Sequence, residues 1–255
     1  MATSPNADVF YALGIHRAPA SASIPEFERL MESIADEIKL LPVCQENFLK
    51  MDTMFQTDKA DEHTPALGMG PRPLAMFFVC EAETLENFQK VLASPQVRHA
   101  LQKGTDFGNQ SSIFTYSKVP KIDRTAPDSG VQMMFVYDAP LELATSENHI
   151  GEFDEFISGF VQLPGIQKNF ARLEMWQSME NLDQDVRNFG YSTESRPTLY
   201  CATLKDLDAA KEMLSDPATQ RYFASAADGR QEFDPKKYSY GFVANVVTKL
   251  DNTKK

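Results

Sequence analysis

Apolar residues follow two spacings along this chain, and the whole sequence of spacings occurs twice. Residues 8–16, DVFYALGIH, are a short aromatic and aliphatic run, which predicts a strand. Behind it, Ser23-Ile24-Pro25-Glu26 has the form of a capping box with proline near the first helical position. Phe27, Leu30, Met31, Ile34 and Ile38 then recur at spacings of three and four, which predicts a helix with one apolar stripe, ended by Pro42. NFLKMDTMF alternates and predicts a second strand. Leu74 to Cys80 is a nearly continuous apolar third strand, and Leu85, Phe88, Val91 and Leu92 mark a second amphipathic helix. The aromatic run SIFTYSKV closes the series as a fourth strand.

The series then begins again. Leu163 lies 122 positions after Leu41, and Val131 the same distance after Val9. At that separation LPVCQENFLKMD faces LPGIQKNFARLE without a gap, and Met31, Ile34 and Ile38 face Phe153, Phe156 and Phe160. RPLAMFFV from Arg72 faces RPTLYCAT from Arg196, VLASP faces MLSDP, and the second half closes on KYSYGFVANVV. The chain reads as a duplication, residues 8–122 and 130–250, each a βαββαβ unit of the ferredoxin-like type. Such a unit covers its sheet with helices on one face only. Two in one chain are expected to press their bare faces together into a barrel, with a ligand cavity between the sheets.

Strand alternation assigns side chains to that cavity. Phe170, Arg172, Glu174 and Trp176 alternate with the apolar Ala171, Leu173 and Met175, as Phe48, Lys50, Asp52 and Met54 do with Leu49, Met51 and Thr53. The charged sets are placed inside, either as rim salt bridges or as pairs that orient a substrate oxygen with the carboxylate as base. His16 ends the first strand on the face of Phe10, Ala12 and Gly14, with Asp138 as its counterpart beside Gln132, Met134 and Val136. Histidine is the usual proton carrier at neutral pH. Tyr116 and Tyr240 correspond on the fourth strands and Tyr200 lies on a third, so their phenols are candidate donors to an oxyanion. The candidate catalytic set is therefore His16, Asp52, Glu174 and Tyr116, and the candidate substrate-binding set is Lys50, Met54, Asp138, Arg172, Trp176, Tyr200 and Tyr240. His63 and His149 read as solvent-facing. Residues 57–71 and 179–195, polar and rich in turn formers, read as connecting loops or as lids.

Bulk properties narrow the classes. The 255 residues carry a formal charge of −11, which argues against sequence-independent nucleic-acid binding. No apolar run is long enough for a membrane span, and the N-terminus lacks a secretory pattern. Three scattered cysteines, Cys44, Cys80 and Cys201, fit reduced buried thiols in a cytoplasmic protein rather than a disulfide or metal framework. Nucleotide-loop, nucleophile-elbow and HExxH motifs are absent. The 11 methionines and 18 phenylalanines suit an apolar ligand as well as an ordinary core.

The doubled strand–helix–proline–strand pattern, above all LPGIQKNFARLEMW, resembles the dimeric α+β barrel superfamily over roughly residues 8–250, in a tandem version of its EthD-like and antibiotic-biosynthesis-monooxygenase-like branch. The resemblance implies cofactor-free monooxygenases, polyketide cyclases, decarboxylases and lactone isomerases, with haem-dependent peroxidase or dismutase relatives. The histidine that precedes a proline on the first helix of EthD-like decarboxylases has no match, since these helices read ESIADEIKLLP and EFISGFVQLP. No family catalytic residue is carried over. The expectation is a cofactor-independent cyclase, decarboxylase or monooxygenase of secondary metabolism, acting by acid/base catalysis on a hydrophobic aromatic or polyketide-like molecule. The alternatives are a non-catalytic binding or stress-related barrel, and a haem protein using His99. The expected assembly is a monomer or a homodimer of barrels.

Overall fold

The computed structural model describes residues 9–125, 130–179, 183–188, 191, 197–226 and 234–253. Asp8, Arg196 and most of the expected second lid lie outside these residues. The first half runs β1 (Phe10–Arg17), α1 (Ile24–Ile38), α2 (Pro42–Asn47), β2 (Lys50–Thr57), β3 (Ala75–Ala82), α3 (Leu85–Ala93), α4 (Pro95–Phe107) and β4 (Gln110–Asp123). The second runs β5 (Val131–Tyr137), α5 (Leu141–Ala144), α6 (Glu147–Phe160), α7 (Pro164–Asn169), β6 (Phe170–Met179), α8 (Asp183–Asn188), β7 (Thr198–Leu204), α9 (Leu207–Ser215), α10 (Pro217–Ala224), α11 (Pro235–Tyr238) and β8 (Ser239–Asp251).

Local chemistry sets several boundaries. Ser23 is the N-cap of α1 and proline opens the helix, but the capping box makes no side-chain hydrogen bond. Pro42 does more than stop a helix: it opens α2, as Pro164 opens α7, since proline lacks the N–H that a first helical residue would leave unpaired. The repeated LP…NF signature is therefore a short helix delivered into a strand. Gly108 ends α4 at φ 96°, a left-handed cap that glycine adopts without steric cost.

The eight strands close into one antiparallel barrel in the order β1-β3-β2-β8-β5-β7-β6-β4. Each half contributes a four-stranded sheet, and the long strands β4 and β8 stitch the halves together by pairing with β6 and β2. This is the dimeric α+β barrel completed within a single chain, with the bare sheet faces turned inward as expected. No helix among the described residues is long and apolar enough to cross a membrane.

The expected cavity between the sheets is corrected. Leu13, Ile15, Phe77, Met134, Val136, Phe242 and their neighbours form one packed interior cluster drawn from all eight strands. Phe77 of the first half stacks on Phe242 of the second at 5.3 Å. Close-packed aromatic and branched side chains fill a barrel of this size.

A second correction concerns β1. Leu13 and Ile15 point inward with Met134 and Val136, a separation of 121 rather than 122, whereas Ala12 packs on the helix side. The second half carries one more residue between its first strand and first helix. A one-residue slip sends every side chain of a strand to the opposite face. The structural mate of Asp138 is therefore Arg17, and the two form an ion pair. Phe48 and Phe170 also lie on the helix side: Phe48 precedes β2, and a bulge follows Phe170.

The two halves also exchange loops. Ala60 and Leu67, between β2 and β3, are buried in the helix-side core of the second half. Val186 and Tyr191, from the equivalent connection, are buried in that of the first.

Candidate functional site

Most of the sequence-predicted charged residues converge at one end of the barrel, around the start of β1, β2 and β6 and the end of β3. Asp52 is buried, accepting from Lys50 at 2.7 Å and from Thr248 of β8 at 2.7 Å, so it clamps the seam between halves. Glu174 accepts from the indole of Trp176 at 3.2 Å. The expected Arg172–Glu174 pair is not what forms: Arg172 is exposed and faces Asp123 at 3.6 Å. Lys118 and Glu81, which alternation had not singled out, complete this end. Lys118 bridges Glu81 at 3.3 Å and lies 4.0 Å from the ring centroid of Tyr11 and 5.4 Å from that of Trp176. Tyr116 stacks on Trp176 at 4.9 Å, and its hydroxyl is buried without a hydrogen-bond partner among the described residues. Burial holds the Tyr116 phenol well above its ordinary range, with Glu81 adding to the effect. The charges here are paired, and the rings stack on one another rather than around a space.

The other predicted residues scatter. Met54 and Tyr240 are interior. Tyr116 and Tyr240 are not equivalents: Tyr11 sits opposite Tyr116, while its mate in the second half, Gln132, sits opposite Ala244. Tyr200 packs on the helix side of the second sheet. His99 is exposed on α4, while Val97 and Leu101 of that helix face the sheet, so no buried pocket presents it to a haem. Among the described residues no cluster of three or more histidine, cysteine or carboxylate groups could hold a metal. Cys44 and Cys201 are buried thiols pushed up to about 12 by desolvation, which makes them unreactive.

His16 is fully enclosed on the helix side of the first half. Its Nδ1 lies 2.8 Å from the Ser111 hydroxyl, and its ring meets Phe78 edge-on at 5.3 Å. Gly14 makes room for it, since a Cβ there would approach Nε2 to 3.2 Å. The adjoining void is about 50 Å³, too small for a substrate. Burial, aided by neighbouring Arg17, lowers the His16 pKa from 6.5 to about 4. The unfolded imidazole thus binds a proton that the folded one refuses between those values. Stability is unaffected above pH 6.5 and falls as pH drops towards 4, by about 3 kcal/mol in all. His16→Gln, which retains a hydrogen-bonding group for Ser111, should flatten that part of the pH profile of the thermal midpoint. A variant with the same acid sensitivity as the parent would refute the assignment.

Open space lies instead between the second sheet and its helices. A cavity of about 500 Å³ is walled by Tyr137 of β5, His149, Phe153 and Asp154 of α6, Met175 and Gln177 of β6, Thr198 of β7, and Lys121 of β4. That size falls within the range of small-molecule sites. His149 is buried and stacks on Tyr137 at 5.3 Å, a correction to its expected solvent-facing position. Tyr137 and Phe153 also wall a smaller void of about 40 Å³, which Tyr200 lines. The Tyr200 hydroxyl is buried with no hydrogen-bond partner among the described residues, and burial, with Asp154 nearby, raises its pKa. A buried orphan donor of this kind costs free energy unless something supplies an acceptor. A third space, about 560 Å³ along Ile24, Pro65 and Leu74, has its cation already held, as Arg72 binds Asp61 at 2.7 and 2.9 Å. Helical phase could have found His149, because residues 149, 153, 156 and 160 lie on one side of α6.

No protein-family model matches this chain, and no curated protein does. Experimental structures do. One is an anthrone oxidase-like protein, 7% identical with a TM-score of 0.56, the match covering 98% of this chain and 97% of that one. Another is a candidate monooxygenase from Fusobacterium nucleatum subsp. nucleatum, 10% identical with a TM-score of 0.51 over 94% and 93% of the two chains. At these identities the likeness establishes the shared barrel fold.

Proposed function

We propose that this protein is a cofactor-independent monooxygenase for an aromatic, anthrone-like small molecule, and that the reaction takes place in the helix-side cavity of the second half. The observation that supports the reading is the cavity of about 500 Å³ that brings a buried histidine, His149, onto an aromatic wall of Tyr137 and Phe153. The description of one protein of the same fold as anthrone oxidase-like supports the substrate class.

The chemistry asks little of the protein. A methylene between two aromatic rings and conjugated to a carbonyl is acidic enough for a positioned imidazole to remove a proton. His149 takes that proton. Gln177 and Thr198 of the same wall can donate to the enolate oxygen that gains charge. The carbanion passes an electron to dioxygen, and the radicals combine into a peroxide that takes up a proton. Loss of water then leaves a carbonyl where the methylene was. One dioxygen enters, one oxygen atom stays in the quinone, and one leaves as water. The substrate supplies all the electrons, so no flavin, haem or metal is part of the proposal.

Purified protein mixed with dihydroxyanthrone in an oxygen-electrode cell should consume one dioxygen per quinone formed, well above the rate with heat-denatured protein. Tight binding without oxygen uptake would leave a binding barrel, and the enzymatic reading would be withdrawn.

A further inference from the structure

Lys121 is a half-buried lysine that lines the cavity of about 500 Å³. It lies on β4, beyond Tyr116, where the pairing of that strand with β1 ends, on the stretch that continues beside β6 to Asp123. The first half thereby delivers a cation into the cavity of the second. Lys50 is held by Asp52, Lys118 by Glu81, and Lys249 by Glu32 and Asp36. Lys121 is only partly exposed, yet it makes no ion pair or hydrogen bond with another described residue. A partly desolvated ammonium without a carboxylate gains from an anionic partner in the same space. Asp154 lines the same cavity but is not within ion-pairing distance of it. The first turn of α6 faces the same space through His149 and Ile150, and its dipole adds positive potential there. The rest of the wall sets apolar Phe153, Ile150 and Met175 beside neutral polar Gln177, Ser178 and Thr198.

We infer that the ligand of this cavity is an aromatic acid, whose ring system lies against Phe153 and Tyr137 and whose carboxylate pairs with Lys121. The inference rests on the cavity of the proposed reaction, but not on the reaction itself.

Fluorescence titration with anthracenecarboxylate and its neutral isostere anthracenemethanol tests it. The parent protein should bind the acid about tenfold more tightly than the alcohol, the scale of one partly desolvated ion pair. Lys121→Met should abolish that preference while leaving the alcohol's affinity and the thermal midpoint unchanged, and Lys121→Arg should keep it. Equal affinity for the two ligands in the parent protein overturns the inference, as does a preference that survives in Lys121→Met or a parent that binds neither. Oxygen uptake with no preference for acids sinks this inference alone. A preference for acids with no oxygen uptake sinks only the proposed reaction.

Discussion

Phe242→Ala should destabilise the whole chain by about 3–5 kcal/mol, enough to unfold many domains of ordinary stability. Phe242 is fully buried at the centre of the barrel and stacks on Phe77 of the other half. Removing its ring forfeits the transfer free energy of the buried surface, leaves a void that the surrounding barrel cannot fully collapse, and loses an aromatic pair worth about 0.5–1.5 kcal/mol more. Both halves should unfold in one transition, because interior side chains from every strand share a single cluster and each half buries a loop of the other. Chemical denaturation followed by Trp176 fluorescence in the second half, and by a label on exposed Ile24→Cys in the first, measures this. Coincident, equally shifted midpoints are expected. Separate transitions would mean that the halves are independent domains sharing a seam. Ile24→Ala, at a residue 53% exposed, is the control and should change stability by less than about 0.5 kcal/mol.

His149→Ala should lower the turnover of an anthrone substrate by about 10²–10⁴-fold, the usual contribution of a positioned general base. His149→Gln should be as slow, since it preserves packing on Tyr137 but cannot take the proton. Steady-state rates at saturating substrate, with ligand affinity measured separately, distinguish loss of the base from loss of the pocket. Full activity in His149→Gln would remove this histidine from the mechanism.

Parts of this picture were open to reading in the chain. The period of the apolar residues gave the helices and strands, and the recurrence of LP…NF gave the duplication. From the duplication followed the one-sided sheets and their closure on one another. Alternation on β2 and β6 correctly set Met54 and Trp176 against Met51, Leu173 and Met175. These features are local or periodic, and a period survives whatever the rest of the chain does.

The site was less legible. A gapless comparison puts His16 on the wrong face, because it cannot detect one extra residue between a strand and its helix, and a single residue inverts a strand. Whether the space between the sheets is hollow depends on how side-chain volumes from eight strands sum at the axis, and no strand carries that quantity by itself. Lys121 reaches the second half only because β4 runs past its own sheet, and Leu67 and Tyr191 are core only because each half lends the other a loop. Repetition along the chain thus told which elements form and which faces must be hidden. Where open volume remains, and which charges stand at its edge, follows from how separate strands and helices pack on one another, for which the linear order holds no signal.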